Sequence, residues 1–253
     1  MLILSQFIFR LSFGMALAMA CTPARAVSSG YYRNNLYVLL GLNVLAGLAA
    51  GMGFSREPLP LWPPLAAAIL SYVGAVLWLY ELPKAGKAAL AAISAVTLVG
   101  AWLTGTAGQT VSPLARALQW CDPVGGGLLL GVTMAAMLLG HWHLNAPGMS
   151  LKPLRRLVLG MALAVALRAA LSGLGLAADF AAEGPFGLDH WLFLSLRWLA
   201  GLVGAGVVAA MAWQTLKIPN TQSATGILYV GVIVTFIGEL TSQLLSGESL
   251  FPL

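Results

Sequence analysis

The chain has 253 residues, of which 59% are apolar and only 8% charged, with a formal net charge of +5. An ordinary soluble domain carries roughly 25% charged residues, so this chain is too poor in charge to cover a water-facing surface, and lipid is the solvent that fits. In a soluble protein the basic excess would suggest nucleic acid. Here it sits in short loops, which excludes nucleic acid as a partner and makes orientation in the membrane its natural role.

A transmembrane helix needs about 20 mainly apolar residues. In chain order the sequence predicts eight: 3–23, 36–54, 62–80, 88–107, 125–142, 154–177, 191–214 and 226–245. The first could be mistaken for a signal peptide, because Ala24, Arg25 and Ala26 form an A-x-A site after an apolar run. Nothing basic precedes that run, and Arg10 lies inside it, so it is expected to stay as a span. The later segments are punctuated by proline or charge at Ser55 to Pro58, Glu81 to Lys84, Ser112-Pro113, Ala146 to Gly148, Glu183 to Pro185 and Ile218 to Asn220. The fold class is therefore all-α, a single polytopic bundle over residues 1–253, with no soluble domain and no internal repeat visible in the sequence.

Charge sets the expected sidedness. With the N-terminus outside, Arg25, Arg33, Lys84, Lys87, Lys152, Arg155, Arg156 and Lys217 fall on the cytoplasmic side, with Glu81 the only acid there. The outer side then holds Arg56 and Arg116 against Glu57, Asp122, Asp179, Glu183, Asp189 and Glu248. This is the positive-inside pattern, with both termini on the outer, non-cytoplasmic face of a bacterial-type inner (plasma) membrane. Cys21 and Cys121 fall on opposite sides and so cannot pair. Trp62, Trp78, Tyr80, Trp191 and Trp213 lie near span ends, as interfacial anchors do. Gly47 with Gly51, Gly127 with Gly131, and Gly201 with Ala205 and Ala209 offer small-residue seams for close helix packing.

Arg10, Arg168, Arg197 and Glu239 fall inside spans. A charge at mid-bilayer costs at least about 2.5–3.5 kcal/mol on insertion scales, so such residues are paired, hydrated or functional. All four lie about two turns from the outer surface. Gln6, Ser172, Thr235, Ser242 and Gln243 share their helical faces. The expectation is a polar pocket of the outer half, with three arginines against one glutamate, a sum of +2. Such an excess suits an anion: a lipid phosphate, a haem propionate, a carboxylate or an acidic partner residue. The alternative is that Arg10 and Arg197 snorkel to the headgroups while Arg168 and Glu239 form a structural pair.

A second candidate cluster, His141, His143 and Asn145, ends the fifth span on the cytoplasmic side. Histidines two apart point about 200° apart on a helix, so they do not share a metal, and no metal site is expected. A quinone contact by His141 or a haem with a single histidine ligand are the cofactor options that this cluster leaves open. Asp189 looks like the N-cap of the seventh span, and Thr221 or Ser223 that of the eighth.

There is no P-loop, GxSxG or HExxH, so catalysis by the chain itself is not expected. The first functional reading is a membrane subunit of a larger respiratory or electron-transfer complex, working beside other membrane subunits as scaffold and quinone or cofactor environment. In helix number the chain is similar to the quinone-reactive anchor subunits of the polysulfide-reductase kind, a similarity that covers no motif. The second is a transporter or flippase for a small anion or lipid headgroup, using the Arg/Glu pocket. The third is an enzyme acting on a lipid-linked substrate.

Overall fold

The computed structural model describes residues 2–52, 60–105, 112–146, 148–182, 187–218, 220–247, 249 and 251–252. Arg56, Glu57, Glu183 and Glu248, whose charges entered the sidedness, lie outside the described residues, as do Pro58, Pro147, Pro185 and Pro219. The described residues are all-helical, with eight helices long and apolar enough to cross a membrane. The spans are Leu2–Cys21, Ser29–Gly51, Trp62–Leu79, Pro83–Leu103, Pro113–Asn145, Lys152–Ala182, Leu188–Lys217 and Thr221–Leu245. We call them the first to eighth spans.

Connections are short, so consecutive spans run antiparallel and both ends of the chain reach one face of the bundle. The first span packs on the second and fourth, the second on the third, and the third on the fourth. The fifth packs on the sixth and eighth, the sixth on the seventh, and the seventh on the eighth. The chain is thus two four-helix rings of the same connectivity, joined along the first and fifth spans. The first span also touches the eighth, and the fourth touches the fifth, to a lesser extent.

Glycine makes that joint possible. A Cβ on Gly14 would fall into the Gly127 carbonyl, and one on Gly131 into the backbone of Gly14. The two helices meet backbone to backbone here, the close approach that small residues permit in lipid. Gly201 and Gly238 do the same for the seventh and eighth spans, where a Cβ on Gly201 would lie 2.6 Å from the Gly238 Cα. Gly47 and Gly51 do not form such a seam: a Cβ on either meets only Pro64 or Leu61, at ordinary contact distances of 3.8 and 3.9 Å.

The apolar core fills the half of the bundle away from the termini. It is built from Met15 and Met19 of the first span, Tyr31, Tyr32, Leu36 and Leu39 of the second, and Leu139, Leu154 and Leu228 of later ones. Trp78 belongs to this core and is not an interfacial anchor. It is 2% exposed, and its ring stacks on Tyr32 with centroids 3.8 Å apart. Trp62, Tyr80, Trp191 and Trp213 are exposed.

Candidate functional site

The fifth span is longer than the sequence suggests. It starts at Pro113, capped by Ser112, whose side chain accepts from the Ala115 N–H at 3.1 Å. Asp122 and Pro123 therefore lie inside a helix and not in an outer loop. Proline removes the N–H that would bond the Gln119 carbonyl. Beside that gap the Trp120 carbonyl takes a hydrogen bond from the Trp102 indole at 3.0 Å. Asp122 is only 6% exposed and projects among the arginines.

Five spans each contribute one ionisable residue to a single cluster: Arg10, Asp122, Arg168, Arg197 and Glu239. Arg168 is its hub. Its Nε donates to Glu239 Oε1 at 2.9 Å, and its Nη2 donates to Glu239 Oε2 at 3.1 Å and to Ser242 Oγ at 2.8 Å. Its Nη1 donates to Asp122 Oδ1 at 2.6 Å. Every nitrogen of the fork is engaged, and the pair with Glu239 is two-pronged. Arg197 sits 3.1 Å from Glu239 through Nη1 and donates from Nη2 to Ser172 Oγ at 3.2 Å. It opens a π-helical stretch, Arg197–Gly204, the kind of irregularity that often re-aims side chains at functional positions. Gly126 leaves room for the cluster, since a Cβ there would strike the Glu239 carboxylate and lie 3.0 Å from Arg10 Nη1.

Arg10 differs from Arg168, and shares with Arg197 an Nε and an Nη1 that make no hydrogen bond among the described residues. Its Nη2 donates to Asp122 Oδ2, and its Nη1 stands 3.9 Å from Glu239. Its Nε and Nη1 have no hydrogen-bond partner among the described residues, although the side chain is 3% exposed. Both amide atoms of the buried Gln243 are likewise unpartnered. These two side chains line a half-open cavity of about 470 Å³ at the face that carries the termini. Gln6, Gln119 and Asp122 complete its polar end, while Leu2, Ile3, Trp102, Trp120, Leu244 and Phe251 give it an apolar wall. Its volume lies in the ordinary range for small-ligand pockets.

The four ionisable candidates from the sequence thus converge, and neither Arg10 nor Arg197 snorkels. Their sum changes, however. With Asp122 included, three arginines face two acids and the cluster carries +1, not +2.

The second candidate set does not cluster. His143 is buried, with Nδ1 2.8 Å from the Leu139 carbonyl and Nε2 3.3 Å from that of Ser150. His141 and Asn145 are exposed, and the His141 ring stands steeply inclined to that of Tyr229 with centroids 6.5 Å apart. No group of three or more metal-ligating side chains occurs among the described residues. The two caps also differ from expectation. Gly187 precedes the seventh span, with Asp189 inside its first turn. The eighth is capped by Asn220, whose side chain accepts from the Ser223 N–H at 3.0 Å.

Compared with known protein families, curated proteins and solved structures, the chain matches none. The site is therefore read from its own geometry.

Proposed function

We propose that this membrane-helix bundle is a binding protein for a singly charged anionic amphiphile, taken up at the face that carries both termini. The observation that carries this reading is the pair of unpartnered, buried groups, the Arg10 guanidinium edge and the Gln243 amide, on the wall of a cavity whose ion cluster has one positive charge to spare. An unsatisfied buried donor of a charged group costs more than an ordinary lost hydrogen bond, and a carboxylate or phosphodiester supplies the missing acceptors and the missing charge together. The apolar wall of Leu2, Ile3, Phe251 and the two tryptophans suits a hydrocarbon tail. Closure of the bundle beyond the cluster by the apolar core favours capture over a conducting path.

The test is thermal stabilisation of the detergent-purified chain by short amphiphiles. Octyl sulfate and octanoate, each singly charged, should raise the unfolding temperature by several degrees, and octyl glucoside should not. Arg10→Gln should abolish the difference, and Arg10→Lys should restore part of it. Equal stabilisation by the neutral and charged compounds, or a full response in Arg10→Gln, refutes the reading.

The reading as a subunit of a respiratory complex is supported by the short loops and the scarcity of catalytic groups. It predicts co-purifying chains and a visible absorbance band after gentle solubilisation. A colourless chain isolated alone would remove it and leave the binding reading untouched.

A further inference from the structure

The face opposite the termini carries a second, independent feature. Lys152, Arg155 and Arg156 lie on one side of the sixth span, at helical spacing, and Lys217 ends the neighbouring seventh span. All four are exposed, and none forms a salt bridge among the described residues. The only described acid expected at this face, Glu81, belongs to the turn between the third and fourth spans, which do not pack on the sixth or seventh.

Between these two helix ends is a recess of about 230 Å³ lined by Arg155, Trp213 and Lys217. Arg155 Nη2 donates to the Leu216 carbonyl at 2.7 Å, which fixes the guanidinium at the recess and leaves its other N–H groups free to donate. Lys217 follows Trp213 by four residues and shares its face. Below the basic rim, Leu159 and Leu163 continue the Arg155 side of the helix as an exposed apolar stripe. A fixed guanidinium, an ammonium and an indole above a hydrocarbon-facing stripe match a phosphodiester with its acyl chains attached.

We propose that this recess binds the headgroup phosphate of an anionic phospholipid, with the acyl chains against Leu159 and Leu163. Arg155 and Lys217 take the phosphate oxygens, and Trp213 packs on the glycerol region. A soluble phosphate would gain the same charge contacts but nothing from the stripe.

Native mass spectrometry of the purified chain, loaded with dioleoylphosphatidylglycerol or dioleoylphosphatidylcholine, tests this. Each basic residue near an anionic headgroup is worth about fivefold in affinity, so phosphatidylglycerol should be retained at least about tenfold better than phosphatidylcholine. Lys217→Gln, which removes no internal hydrogen bond, should lower retention about fivefold. Lys217→Gln with Arg155→Gln should bring it to the phosphatidylcholine level. Lys84→Gln with Lys87→Gln, which removes the same charge elsewhere on this face, should change nothing. An equal loss in the Lys84/Lys87 variant would show a diffuse field and overturn the site. So would unchanged retention in Lys217→Gln, or displacement of the lipid by glycerol phosphate at equal concentration.

Discussion

Arg168 and Arg10 occupy one ion cluster but do different work, and their hydrogen bonds separate them. Arg168 engages every nitrogen of its guanidinium with Asp122, Glu239 and Ser242 and so ties the fifth, sixth and eighth spans together. Removing one partner of a buried pair strands the other charge and typically costs 3–5 kcal/mol. Arg168→Leu should therefore lose about 3–5 kcal/mol of stability and most of the folded yield. Arg10 makes a single close contact, with Asp122, and a hydrogen bond to a charged group is worth about 1.5–3 kcal/mol. Arg10→Gln should stay folded, lose less than Arg168→Leu, and lose the ligand response. Guanidinium denaturation or thermal melting of both variants in one detergent checks the order. If Arg10→Gln is the more destabilised of the two, Arg10 is structural and the division of labour fails.

At the scale of the helix, packing turns on a few glycines whose missing side chains let backbones or charges in. Gly131→Ala would drive a methyl group into the Gly14 backbone, and Gly126→Ala would drive one into the Glu239 carboxylate beside Arg10. Overpacking of this kind costs about 1–3 kcal/mol, occasionally more, and backbone yields less than a side chain does. Gly41→Ala meets nothing within 4 Å and should be neutral or slightly stabilising, since alanine is the better helix former by about 1 kcal/mol. Melting temperatures of the three variants test this, and a Gly131→Ala protein as stable as Gly41→Ala would count against the backbone contact. The same scale shows what could be read in the sequence. Hydropathy located the eight spans, because lipid demands about 20 apolar residues from each helix whatever its neighbours are. Depth along each span brought Arg10, Arg168, Arg197 and Glu239 to one level. Asp122 was missed because an acid followed by proline is locally a helix stop. What keeps it in the helix is the pair of arginines 112 and 46 residues away in sequence. Trp78 was misplaced for a similar reason, its stacking partner Tyr32 being on another span. Local pattern carries information about solvent and period but none about which distant side chain supplies a counter-charge.

For the whole molecule, the two-ring architecture gives the charge count its meaning. The second ring's share of the cluster, Asp122, Arg168, Arg197 and Glu239, has two charges of each sign and is neutral. The surplus positive charge arrives only with Arg10, which the first ring delivers across the Gly14–Gly127–Gly131 joint. The anion site is thus a property of the joined rings, and the face it opens on decides which leaflet supplies the ligand. The basic residues at the span ends bear on that choice. Arg25, Arg33, Lys84, Lys87, Lys152, Arg155, Arg156 and Lys217 all belong to the face opposite the termini, and such residues are retained on the cytoplasmic side. The cavity should then open to the exterior. Single cysteines at Arg116, Lys84 and Ser150, all exposed positions, placed in a background lacking Cys21 and Cys121, report this directly. A membrane-impermeant maleimide added to intact cells should label Arg116→Cys. It should reach Lys84→Cys and Ser150→Cys only after the membrane is permeabilised. The reverse pattern would turn the bundle over. The amphiphile would then have to come from the cytoplasmic leaflet, where the recess at Arg155 and Lys217 would no longer be.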